Sequence, residues 1–209
     1  MTGSRPPAGR VVIIGAGPGE ADLLTLRGAR RLAEAEVVLY DALTDPALRA
    51  MASGAQWLHV GKRGFSDSTA QGEINALLIE HALAGKRVVR LKGGDPSIFG
   101  RLEEELQALA DAGLEVEVVP GVSSALAAAA HTARPLTRRG SGRSVSFSTG
   151  YTRAGAPTAT RTADTEVFYM AGLQLGTLAH RLVEAGWPAD TPASVVSRAG
   201  WPDARQSDH

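Results

Sequence analysis

Five short, largely apolar runs, separated each time by one helical stretch, fill the chain up to Pro120 and leave few ways to fold it. They are VVII (11–14), VVLY (37–40), WLHV (57–60), RVVRL (87–91) and EVEVV (115–119). A strand that is apolar along its whole length, not just at alternate positions, is covered on both faces. Strands joined by single helices pair in parallel. The intervening sequence predicts helices over Leu23 to Ala35, with Leu23, Leu24, Leu26 and Leu32 inward, and over Gln71 to Leu83, with Ile74, Leu77, Leu78 and His81 at helical spacing. A short helix opens at Asp45-Pro46, aspartate as cap and proline in the first turn. Another runs from Leu102 to Ala112 and closes on Gly113. The expected fold class is α/β, with a mostly parallel five-stranded sheet in an N-terminal domain, 1–119.

After Pro120 the pattern changes. SSALAAAA (123–130) reads as a helix of small residues, SVSFSTG (144–150) and EVFYM (166–170) as strands, Leu173 to Ala185 as a helix ended by Gly186, and ASVVS (193–197) as a further strand. Residues 151–163, polar and proline-bearing, are expected to form a loop. This predicts a second, smaller α/β domain over 120–209 with a mixed sheet.

Ligands of parallel sheets bind at the carboxyl ends of the strands. The loops there are GAGPG, YDALTD, VGKRG and LKGGDPSIFGR, and they carry most of the glycine and polar residues of this half. The first loop resembles the start of a dinucleotide-binding turn. Such a turn needs glycine at its sixth position and free backbone N–H groups around a diphosphate. Here the sixth position is Glu20, and Pro18 has no N–H to offer. Glu20 and Asp22 add negative charge. The loop suits a flat, weakly charged group, such as adenine or a thioether chain, better than a diphosphate. Two other readings stay open: a plain strand-to-helix turn, and NAD binding with Asp41 as the ribose acid.

Composition narrows the rest. Twenty-two lysines and arginines balance 22 aspartates and glutamates, so no global field favours nucleic acid or an anionic membrane. Cysteine is absent, which excludes disulfides and thiolate chemistry. The five histidines show no helical ligand pair, and no metal is expected. No apolar run approaches the ~20 residues of a membrane span, and the start lacks the apolar core of a secretory signal. A cytoplasmic protein is the expectation.

The stretch RVVRLKGGDPSIFGR (87–101) is more specific than any glycine turn. With GAGPGEADLLTLRG, YDALT, VGKRG, VVPGVSSA, PLTRR and VFYM, in that order, it resembles the uroporphyrinogen-III C-methyltransferases of the tetrapyrrole methylase family. The matches run from Val11 to about Gly200. The resemblance implies two α/β domains with a cleft between them, S-adenosylmethionine as methyl donor with S-adenosylhomocysteine as product, and a homodimer. It implies two methylations of uroporphyrinogen III giving precorrin-2, on the way to sirohaem or cobalamin. Alternatives are methylation of a later precorrin, or a non-catalytic homologue that binds donor or tetrapyrrole.

Carried onto this sequence, the resemblance implies donor contacts at Pro18, Gly93, Gly94, Asp95, Ile98, Ser123, Ser124, Met170 and Gly200. It places Asp41 at the position of a general base and Lys62 at that of a proton donor. Arg63, Arg101, Arg138 and Arg139 are candidates to meet the acetate and propionate groups of the substrate, because guanidinium pairs with carboxylate in a bidentate fork. Asp41 also suits a turn cap in YDALTD, and Asp95 a cap before Pro96. Arg138 and Tyr151 stand where the family usually has histidines. The family also continues through further strands beyond GWPDARQSDH, so the second domain is expected to be shortened, with an unpaired strand edge.

Overall fold

The computed structural model describes residues 9–61, 71–150 and 159–209. They divide into two units, one reaching Ser124 and taking in Gly200–Pro202, the other formed by Ala125–Ala199 and Asp203–His209.

In the first unit, β1 (Val11–Gly15), β2 (Val37–Tyr40), β3 (Gln56–His59), β4 (Val88–Lys92) and β5 (Val116–Val119) form one parallel sheet in the order β3-β2-β4-β1-β5. The continuous apolar runs are explained by burial on both sides. Val11, Ile13, Leu39 and Val88 face α2 (Gln71–Leu83) and α3 (Leu102–Asp111), where Ile74, Leu78, Ala82 and Leu109 complete a core. Val12, Ile14, Val38, Val89 and Leu91 face the opposite side, against Leu24, Leu32, Leu48 and Ala52. The edge strand β3 is correspondingly more exposed.

One helix starts later than its sequence suggests. Leu24 and Thr25 are extended, and the Thr25 hydroxyl accepts the Gly28 amide at 3.1 Å, so α1 covers only Leu26–Ala33. Ala21–Leu23 is a separate 3-10 turn. The shift rotates Leu26 outward, where it is 81% exposed, while Leu24 and Leu32 remain buried. Asp45 caps a second 3-10 turn, Pro46–Ala52, by accepting from the Ala47 amide at 2.9 Å.

The second unit contains α4 (Ser124–His131), which begins on the last residue of the first, and a parallel pair, β6 (Val145–Thr149) with β7 (Thr165–Tyr169). It adds α5 (Leu175–Glu184), followed by Gly186 at φ 94°, and an antiparallel pair, β8 (Ser194–Ser197) with β9 (Arg205–Asp208). β9 carries no apolar residue and was not expected. It supplies the strand edge of β8 with a partner, and Arg134 reinforces the pair through a bidentate contact with Asp208. Of the loop expected over 151–163, residues 151–158, Tyr151 among them, lie outside the described residues. Among the described residues no helix is long and apolar enough to cross a membrane.

Candidate functional site

The loops after β1, β4 and β5 approach each other at backbone distance. A Cβ on Gly15 would lie 2.6 Å from the Cα and N of Gly121 and 2.7 Å from the carbonyl oxygen of Gly94, so no side chain fits there. The Ala16 amide donates to Lys92 at 2.7 Å, and Gly17 and Gly94 exchange N–H···O bonds of 3.2 and 2.6 Å. Asp95 ties in the third loop. Its Oδ2 accepts from the Gly121 amide at 2.9 Å, and its Oδ1 accepts from the Ser97 amide at 2.8 Å and from the Ser97 hydroxyl. Burial opposes ionisation of Asp95, but these donors outweigh it and hold the carboxyl below the usual carboxylate range.

The result is a surface at the strand ends built largely from main chain, with the amides of Ala16, Gly17, Gly94 and Gly121 already bonded within it. Around GAGPG, the amides of Ala16 and Gly17 are bonded as described. Glu20 donates to Gly200 at 2.8 Å and Ala21 to Asp45 Oδ2 at 2.9 Å. Pro18 contributes none. The position before the 3-10 turn, where a phosphate would collect backbone N–H groups, is taken by the carboxylate of Asp45. This arrangement counts against the dinucleotide reading. Gly19 and Gly200 meet closely: a Cβ on Gly19 would fall 1.9 Å from the Gly200 carbonyl oxygen, and one on Gly200 would fall 2.7 Å from Cγ of Pro18. Residues far apart in sequence thus close over the turn.

Pro18, Gly93, Gly94, Asp95, Ile98, Ser123, Ser124 and Gly200 all belong to the first unit. Gly93 lies against the side chain of Leu43, Ile98 is half-buried with its amide on the Asp95 carbonyl, and Ser123 is buried where the chain enters α4. Met170 belongs to the second unit, exposed and left-handed at φ 58° directly after β7. Arg101 is also left-handed, at φ 54°, and forms a bidentate pair with Glu104 at 2.7 and 2.6 Å on the surface. Arg138 and Arg139 are exposed on a turn of the second unit closed by paired backbone bonds between Arg138 and Gly142. Lys62 and Arg63 lie outside the described residues.

Asp41 follows β2 at its carboxyl end. Its carbonyl oxygen, not its side chain, closes the turn by accepting from the Thr44 amide and hydroxyl. The carboxylate instead accepts from Arg90 Nη2 at 2.7 Å through Oδ1. Arg90 is buried, and its Nε donates to Glu105 Oε1 at 3.0 Å. Glu105 Oε1 also accepts from Lys92 Nζ at 2.9 Å and Gln71 Nε2 at 3.3 Å. Burial works against the charge on Arg90, but Asp41 and Glu105 more than compensate and raise its pKa. For Lys92, burial and the neighbouring Arg90 outweigh Glu105, and its pKa is lowered.

Sequence reasoning missed Arg90, Lys92 and Glu105. The available signal was charge at alternate positions of a strand otherwise buried on both faces, which demands partners. Beside Asp41 the edge of the sheet forms a recess of about 150 Å³ lined by Tyr40, Thr44, Arg49, Trp57 and His59. The Arg49 guanidinium lies over the Tyr40 and Trp57 rings at 5.1 and 5.8 Å.

The family model of tetrapyrrole (corrin/porphyrin) methylases matches residues 10–207. A siroheme synthase from Zymomonas mobilis is 45% identical over 204 residues, covering 95% of this chain and 43% of that protein. This chain spans less than half the length of the siroheme synthases it matches. A crystal structure of uroporphyrin-III C-methyltransferase from Thermus thermophilus complexed with S-adenyl homocysteine is 39% identical, with a TM-score of 0.82 over 96% of this chain and 83% of that one. A cobalt precorrin-4 methyltransferase is 31% identical, with a TM-score of 0.82 over 95% of this chain and 84% of the other.

Proposed function

The chain belongs to the tetrapyrrole methylase family, and from that premise we propose that it methylates uroporphyrinogen III twice, at pyrrole carbons, giving precorrin-2 with S-adenosylmethionine as donor. The observation that carries the reading is the main-chain surface at the ends of β1, β4 and β5, where the amides of Ala16, Gly17, Gly94 and Gly121 are bonded to the protein itself and Pro18 has none. Such a surface admits a neutral nucleoside and a thioether and disfavours a diphosphate.

Pro18 and Gly200, packed on one another, form one wall for the donor, and Gly93, Gly94 and Ile98 another. Asp95 holds those loops together and accepts from donor groups with the lone pairs its own bonds leave over. Ser123 and Ser124 offer hydroxyls after Gly121, and Met170 is the remaining position that the family resemblance assigns to the donor. The bound donor supplies an electrophilic sulfonium methyl. The chain's task is alignment: sulfur, methyl and pyrrole carbon must lie in line, a matter of position more than of new chemistry. As the carbon–carbon bond forms and the carbon–sulfur bond breaks, Asp41 takes the proton released from the pyrrole. Lys62 is the proton donor that shifts a proton between positions of the macrocycle, one further proton being lost to solvent for each methyl gained, and Arg63, Arg101, Arg138 and Arg139 meet substrate carboxylates. No residue role requires a metal. A homodimer in the cytoplasm completes the reading, which feeds sirohaem or cobalamin synthesis.

The test is direct. Purified protein is incubated with S-adenosylmethionine and a panel of tetrapyrroles, and products are read by mass spectrometry. A doubly methylated product from uroporphyrinogen III is expected. Turnover of a later precorrin alone would move the substrate towards that of the cobalt precorrin-4 methyltransferase, and S-adenosylhomocysteine binding without turnover on any substrate would identify a non-catalytic binder. Binding of NAD that S-adenosylhomocysteine does not displace would overturn the reading altogether.

A further inference from the structure

Four charged side chains stand in a row beneath the carboxyl ends of β2 and β4: Asp41, Arg90, Glu105 and Lys92. The last three have side-chain exposures of 3%, 0% and 5%. Burying such a cluster stabilises a fold poorly compared with apolar residues of the same volume, so its presence asks for another explanation. The contacts are one-sided. Glu105 Oε1 gathers Arg90, Lys92 and the half-buried Gln71, and Arg90 Nη2 reaches from the interior to Asp41 Oδ1. Arg90 Nη1 is further fixed by the carbonyl oxygens of Leu39 and Leu91, at 3.4 and 3.2 Å, on the two strands whose ends frame Asp41. Asp41 itself is 26% exposed, and its Oδ2 makes no hydrogen bond among the described residues.

We propose that Arg90 is a positioning residue: a guanidinium locked from behind by Glu105 and two strand carbonyls, which grips one oxygen of Asp41 and leaves the other presented to the substrate. Glu105 balances Arg90 and Lys92 together, so that the charge of Arg90 remains available to Asp41. A planar fork suits this task because it bonds to Glu105 on one edge and Asp41 on the other, which a single ammonium cannot do at once. The inference rests on the reading of Asp41 as the base.

A double-mutant cycle on the full chain tests it. Asp41→Asn and Arg90→Gln are each expected to lower kcat by about a hundredfold, with KM for the tetrapyrrole and affinity for S-adenosylhomocysteine within about twofold of the parent. Arg90→Gln is expected to cost nothing further in the Asp41→Asn background, because both changes remove the same interaction. An equal loss from Arg90→Gln in both backgrounds would overturn the proposal, as would loss of S-adenosylhomocysteine binding in step with kcat. Wild-type turnover by Asp41→Asn would instead remove the base reading, and the role of Arg90 with it. Should Arg90→Gln fail to fold, Arg90→Lys serves. It is expected to lower kcat about tenfold in the parent and not at all beside Asp41→Asn, and unchanged kcat in the parent would sink the idea.

Discussion

Asp45 Oδ2 accepts the amide of Ala21 at 2.9 Å while its Oδ1 accepts that of Ala47, also at 2.9 Å. One carboxylate thus caps two 3-10 turns and sits where a dinucleotide-binding chain would gather phosphate. Asp45→Ala frees both turns and is expected to lower stability by about 1–2 kcal/mol in denaturant unfolding. Because the amides of Ala16, Gly17 and Glu20 remain bonded, calorimetry is expected to show no NAD binding by the variant.

The meeting of Gly19 with Gly200 makes a sharper claim. A methyl at position 19 runs into the backbone carbonyl of Gly200, which has no side chain to swing aside. Gly19→Ala is expected to abolish S-adenosylhomocysteine binding at concentrations that saturate the parent. Gly54→Ala, whose new methyl meets nothing within 4 Å, is the matched control. It is expected to keep both affinity and stability, the latter within about 0.5 kcal/mol.

Glu105 neutralises two buried cations, so deleting it leaves Lys92 without its counterion and Arg90 with Asp41 alone. Glu105→Ala is expected to cost about 3–5 kcal/mol by urea unfolding. Glu104→Ala, one residue earlier on the exposed side of α3, is expected to cost under about 1 kcal/mol, the range of a surface pair. Equal losses would contradict the placement of Glu105 in the interior.

The Asp95 latch carries a pH signature. Its carboxyl ionises more readily folded than unfolded, because the Ser97 hydroxyl and two amides favour the charged form over the burial that opposes it. Its contribution is therefore complete above the unfolded value and fades as pH falls through the folded one. Asp95→Asn is expected to be less stable than the parent at pH 7, and the two stability curves are expected to converge below about pH 4. A difference constant from neutral to acid would mean that the latch does not depend on charge.

Much of the first unit was legible locally. The strands VVII, VVLY and EVEVV occur within a residue of their expected bounds, and Gln71–Leu83 at its expected ends, because an apolar run and a helical repeat are properties of a short window. The start of α1 was not. Leu23, Leu24 and Leu26 look alike in sequence, and the Thr25 cap decides which of them turns inward. β9 was invisible for a related reason: RQSD has no strand pattern of its own and is a strand only because β8 lies beside it.

The sequence by itself determined the class of fold, the strand-end loops where glycine collects, and the family, all of which reside in residue order and local period. Tertiary structure alone decided the order β3-β2-β4-β1-β5, the closure of Gly200 over Pro18 and Gly19, and the choice of Glu105 from the run Glu103-Glu104-Glu105 as the counterion of Arg90 and Lys92. The reason is physical. Three adjacent glutamates have the same local preferences, and only the rotation of α3 against β4 brings one of them opposite two cations that burial has stripped of water.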